Sequence, residues 1–174
     1  MKNTKSLAAL LLLALAPLAG AESHDNSAVL IGKPKGGGSG NDAGQDAPAP
    51  DLLANKQFLS ILGDTQELTL NAGSENKNRP YLMLGTMSGT APGLPLGDLV
   101  LGINPDPYTL LTLNAANSSA LQNTFGSLDQ SGQATARISV PAGLGPVQLH
   151  HAYVLLGSHN SVVYVSDSVG LTVL

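Results

Sequence analysis

From Asp51 onward the chain is cut by turn-forming residues at intervals of about 8 to 20 positions, and this spacing limits the fold more than any other feature. The cuts fall at Gly63-Asp64, Ala72-Gly73-Ser74, Ser88-Gly89, Ala91-Pro92-Gly93, Asn104-Pro105-Asp106-Pro107, Asp129-Gln130-Ser131-Gly132, Pro141-Ala142-Gly143, Gly157-Ser158 and Ser168-Val169-Gly170. Between them no uninterrupted helical segment of useful length is expected, and the intervening stretches carry strand character. Gln66–Asn71 alternates Leu68 and Leu70 with Glu67, Thr69 and Asn71, the period of two that a half-buried strand requires. Ala134–Val140 repeats the pattern, with Ile138 and Val140 set against Arg137 and Ser139. Tyr81–Leu84 and Val147–Leu156 are more continuously apolar, as expected of central strands covered on both faces or packed against a loop.

Gln57–Leu62, Leu99–Ile103, Tyr108–Leu113, Val162–Ser166 and Gly170–Leu174 complete a set of about nine short strands. The expected fold is all-β, an immunoglobulin-like or Greek-key β-sandwich of about 7–9 strands over residues 52–174. Leu171 and Val173 of the last strand should enter the core, so the C-terminal residues should be needed for folding.

The segment ahead of this domain has a different character. Met1-Lys2-Asn3-Thr4-Lys5, the apolar run Leu7–Ala16 and the small triplet Ala19-Gly20-Ala21 have the order of a signal peptide spanning residues 1–21. The run is too short for a hydrocarbon core that needs about 20 residues, so no membrane insertion is expected once the leader is removed. Residues 22–51 are rich in Gly, Pro and Ala and read as a flexible linker, apart from Ser27–Gly32, which could pair as a stray strand. The expected location is secreted, periplasmic or extracellular.

The formal charge is −4, and losing Lys2 and Lys5 with the leader makes it more negative, which disfavours a nucleic-acid partner. The chain has no cysteine, so an exported domain must rely on apolar burial without disulfides.

Several residues invite a chemical reading. Gly85-Thr86-Met87-Ser88-Gly89 places its serine one position too late for a nucleophile elbow, and Ser88 is read as a turn serine. His150 and His151 are adjacent on a strand and project to opposite faces, so they do not chelate together. One should face inward, and His159, in the turn that follows, could approach one of them. Asp98 and Asp106 could offer oxygens to a loop-bound ion; the alternative, which is preferred, has Asp106 and Asp129 capping turns through backbone amides. The metal candidates are therefore His150, His151, His159, Asp98 and Asp106, with no metal or cofactor expected.

A sugar-binding face would need exposed aromatics; Tyr108 and Tyr164 are the candidates, while Tyr81 and Tyr153 belong in the core with their hydroxyls at its rim. Gly36-Gly37-Gly38 lacks the strand and helix of a phosphate loop. No catalytic residue and no enzymatic activity are expected.

The run from Tyr81 to Leu96, with Asn104-Pro105-Asp106-Pro107-Tyr108, Gly126-Ser127-Leu128-Asp129, Gly132-Gln133-Ala134 and His150-His151-Ala152-Tyr153, resembles an uncharacterised immunoglobulin-like β-sandwich module of exported bacterial proteins. The resemblance covers nearly all of residues 57–174 and implies an exported sandwich with no established activity. The function expected is a non-enzymatic structural or interaction module with a protein or polysaccharide partner. A carbohydrate- or calcium-binding module is the alternative, and a secreted hydrolase a third.

Overall fold

The computed structural model describes residues 50–174. The expected signal peptide, the linker up to residue 49 and the stray strand at Ser27–Gly32 lie outside the described residues.

Two sheets face each other across an aliphatic core. The first contains β1 (Leu52–Ala54), β3 (Asp64–Asn71), β9 (Gln133–Val140) and β7 (Leu121–Gln122) in that order, with every pair antiparallel. The second runs β2 (Phe58–Leu59), β12 (Val169–Val173), β10 (Val147–Leu156), β4 (Pro80–Thr86) and β8 (Phe125–Ser127). In it β11 (Val162–Val165) takes over from β12 beside the far half of β10, and β2 is parallel to β12. A separate hairpin joins β5 (Leu94–Leu96) to β6 (Leu99–Leu101). The all-β sandwich is what forms.

The alternating strands place their apolar residues as expected. Leu68 and Leu70 of β3 and Ile138 and Val140 of β9 are buried against Met83 of β4, Leu149, Tyr153 and Leu155 of β10, and Leu171 and Val173 of β12. The opposite face of the second sheet is covered too. There Leu82, Leu84, Ala152, Val154 and Leu156 pack against Leu94, Leu101 and Ile103 of the β5–β6 region and against Leu113. Cover on both faces explains why Tyr81–Leu84 of β4 and Ala152–Leu156 of β10 are continuously apolar.

One expectation fails. Tyr108–Leu113 is not a strand; it lies within an α-helix, α1 (Pro107–Asn114). Asp106 is its N-cap, accepting from the Thr109 amide, and Pro107 occupies the first helical position, where a missing N–H costs nothing. The side chains follow a helical spacing instead. Thr109, Thr112 and Leu113 form the buried face at helical spacing, whereas Leu110 and Leu111 point outward. Four short strands, β1, β5, β7 and β8, also fall where none was expected. Among the described residues no helix is long and apolar enough to cross a membrane.

Candidate functional site

The turn before α1 is held by side chains that substitute for missing backbone pairs. The Asn104 amide donates to the carbonyls of Ser88 and Ala91, and its oxygen accepts from the Gly93 amide. Asp106 ties the helix start to the end of β4. Its Oδ2 accepts from the amides of Met87 (2.6 Å) and Ser88 (2.9 Å) and from the Thr86 hydroxyl (2.9 Å), while Oδ1 takes the Thr109 amide (2.9 Å). Burial alone would raise the carboxyl's pKa, but these donors outweigh it and hold it down to about 2. With both oxygens engaged, Asp106 acts as a capping anchor, and Asp98 stands apart on the exposed turn of the β5–β6 hairpin.

In the first turn of the helix, Tyr108 reaches into the mouth of the sandwich. Its hydroxyl lies 2.9 Å from Nε2 of His151, and the two rings meet edge to face with centroids 5.8 Å apart. Gly85 makes this possible. A Cβ there would lie 2.4 Å from Cε1 of Tyr108 and 2.9 Å from Cδ2 of His151, so the phenol rests against bare β4 backbone. Beside it the Gly85 amide donates to Oγ1 of Thr112 (3.0 Å), and that hydroxyl donates to the Thr109 carbonyl (2.9 Å). Thr112 thus serves as a hydrogen-bonding contact from α1 to β4.

His151 is fully buried, and its Nδ1 has no partner. Burial first, and the neighbouring His150 second, lower its pKa to about 4, so the ring is neutral near pH 7. Burial, with the charge of Asp106 adding to it, raises the Tyr108 phenol above its ordinary value.

The outer side of Tyr108 forms part of an apolar cavity of about 390 Å³ between α1 and the open end of the two sheets. Leu111 and Ala115 of the helix side, Val140 of β9, Leu144 of the following loop, and Val147 and Leu149 of β10 supply much of its wall. At the rim, Met87 and Leu111 are each 54% exposed and Leu144 is 39% exposed. The apolar surface extends past the rim. The Gly143 amide donates to the Ile61 carbonyl (2.9 Å), which brings the loop of Ile61 and the 82%-exposed Leu62 alongside Leu144.

The remaining candidates lie elsewhere. His150 is half-buried on the opposite face from His151, over Gly170 of β12, as adjacency on a strand requires. His159 is exposed in the turn beyond β10. From His151, β10 runs on to Leu156, roughly 17 Å of strand at about 3.4 Å per residue, so His159 does not meet the pair. Among the described residues no group of three or more His, Asp or Glu is placed to hold a metal ion.

The expectation that Tyr108 and Tyr164 are exposed is corrected. Both are half-buried with occupied hydroxyls, because Tyr108 sits on a helix that plugs the sandwich and Tyr164 lies beside Tyr153, their ring centroids 5.9 Å apart. The Tyr164 hydroxyl donates to Oδ2 of Asp51, and that of Tyr153 to the Asp51 carbonyl (3.2 Å). Asp51, Met87, Leu111 and Leu144 were not singled out from the sequence. The Asp106-Pro107 pair, a helix-start signature, carried a signal for the helix that holds Leu111.

Comparison with known protein families finds no family model that matches the chain, and comparison with curated proteins finds no matching relative.

Proposed function

We propose that this protein is an exported, non-enzymatic interaction module of the cell envelope or extracellular space, which holds an apolar segment of a partner protein in the groove beside α1. One observation carries the reading: α1 buries two threonines and turns Leu110 and Leu111 outward, next to a cavity walled by aliphatic side chains. An amphipathic helix serving only the fold would have the reverse arrangement. Continuous exposed apolar surface of this kind marks an interaction site. The leader-like N-terminus and the resemblance to exported bacterial modules support the location. The acidic balance argues against nucleic acid.

The test is selection of random displayed peptides on the full mature chain, followed by fluorescence anisotropy of the enriched sequences. Apolar peptides should be recovered, and they should bind the Leu111→Asp variant at least tenfold more weakly. Thermal-shift measurements with polysaccharides and divalent ions should be flat. Peptides that bind Leu111→Asp as tightly as the unaltered chain, or a melting shift with a polysaccharide or an ion alone, would overturn the reading.

A further inference from the structure

We propose that the Tyr108–His151 contact is an acid-sensitive latch: taking up a proton at His151 frees α1 from the mouth of the sandwich and opens the groove. The inference concerns regulation of that groove and rests on the preceding reading for its consequence, whereas the latch itself is tested separately.

His151 is sealed in the second sheet, between Gly85 on β4 and Val169 on β12 in the strand register. A neutral imidazole there leaves one nitrogen without a partner, a tolerable cost. A cation brings two N–H donors and a full charge; the Tyr108 oxygen can accept from Nε2, but Nδ1 has no acceptor and the charge has no counter-ion among the groups that face it. From α1 the facing groups are the neutral Tyr108 phenol and, at the helix start, Asp106, whose oxygens are already taken by Thr86, Met87, Ser88 and Thr109. Gly85 and Val169 are neutral, and so are Ala136, Ile138 and Val140, which face the core from β9. Glu67 of β3 pairs with Arg137 of β9 on the outer face of the first sheet. His150, next to it on the same strand, adds to the lowering of the His151 pKa.

A buried unpaired charge forces the structure to open a route to water. Tyr108 stands between His151 and the groove, contacting the ring on one side and lining the cavity on the other. It also sits in the first turn of an eight-residue helix, too short to persist without its packing. Releasing Tyr108 therefore loosens the helix that carries Leu111.

The sign follows from linkage. A histidine whose pKa is lowered on burial favours the closed form above its exposed value of 6.5, and that preference fades as pH falls toward about 4. Between pH 8 and pH 5 the opening constant should rise roughly 30-fold.

Hydrogen exchange of the full mature chain, read by mass spectrometry and corrected for intrinsic rates, tests this. Amides of residues 108–115 should lose roughly 30-fold in protection between pH 8 and pH 5, while those of β3 and β9 keep theirs. The effect should vanish in His151→Gln and persist in His150→Gln. Should His151→Gln fold poorly, histidine NMR on the unaltered chain supplies the second measurement, and a ring that titrates near 6.5 without any change in α1 overturns the latch. Equal protection at both pH values, or parallel loss throughout β3 and β9, overturns it as well. If α1 loosens as expected while the enriched apolar peptides bind equally at pH 8 and pH 5, the latch stands and the groove reading fails.

Discussion

Replacing Gly85 with alanine asks whether the contact between Tyr108 and the β4 backbone is as tight as the geometry implies. The new methyl would lie 2.4 Å from Cε1 and 3.0 Å from Cδ1 of Tyr108, and 2.9 Å from Cδ2 of His151, well inside contact distance. The strand backbone at Gly85 is held on both sides, by its pairing with His151 of β10 and by the bond from its amide to the Thr112 hydroxyl. The phenol must yield. Overpacking of this kind costs about 1–3 kcal/mol. Losing the bond to a nitrogen of the buried His151 adds about 1 kcal/mol or more. Lower backbone entropy in the unfolded chain returns about 0.5–1 kcal/mol. The net loss should be about 1–3.5 kcal/mol, or roughly 3–14 °C in melting temperature for a domain of this size. Urea denaturation of Gly85→Ala, Tyr108→Ala and the double variant measures it directly. In the Tyr108→Ala background most of the alanine's cost should disappear, since the ring it strikes is gone. A neutral Gly85→Ala, or an equal cost in both backgrounds, would refute the packing argument and weaken the case that Tyr108 is wedged in place.

Two further outcomes follow from the same geometry. Asp106→Ala removes the cap of α1 together with the acceptor for the Met87 and Ser88 amides, and should cost about 2–3 kcal/mol in urea titrations at pH 7. Because the carboxyl is held down to about 2, its contribution is complete above the ordinary value of 3.8 and fades as pH falls below it; the variant and the parent should converge there, and a constant difference would show that the charge is immaterial. Deleting residues 170–174 removes Leu171 and Val173, both wholly buried, and the strand that joins β10 to β2. Each lost aliphatic side chain costs about 2–5 kcal/mol, enough together to exceed a typical domain's stability. Circular dichroism should then give no cooperative melt, and a truncated chain that melts cooperatively would place the core elsewhere.

The parts of the fold that were legible in the sequence are those whose side chains report a single environment. Leu68 and Leu70, like Ile138 and Val140, alternate because one face of each strand meets the core and the other meets water. α1 was illegible for the opposite reason. Two of its three buried positions are filled by Thr109 and Thr112, and Leu110 and Leu111 are exposed, so only Leu113 reports the buried face by its hydrophobicity. The Asp106-Pro107 start was present but also fits a turn. β7 and β8, of two and three residues, exist through their pairing with β9 and β4 and have no pattern of their own.

The site divides along the same line. Adjacency on a strand was enough to send His150 and His151 to opposite faces, but the partner of His151 is 43 residues away and could come only from the fold. A two-layer sandwich must close the gap between its sheets at each end, and a run of aliphatic residues would do so with less cost. Here the gap is closed by a phenol hydrogen-bonded to an imidazole, held by a short helix over a glycine, with unfilled apolar space beside it. A polar pair sealed in this way contributes less to stability than hydrophobic packing of the same volume, and its energy depends on pH where packing does not. The end of the sandwich where the groove lies is therefore also the end whose closure a proton can oppose.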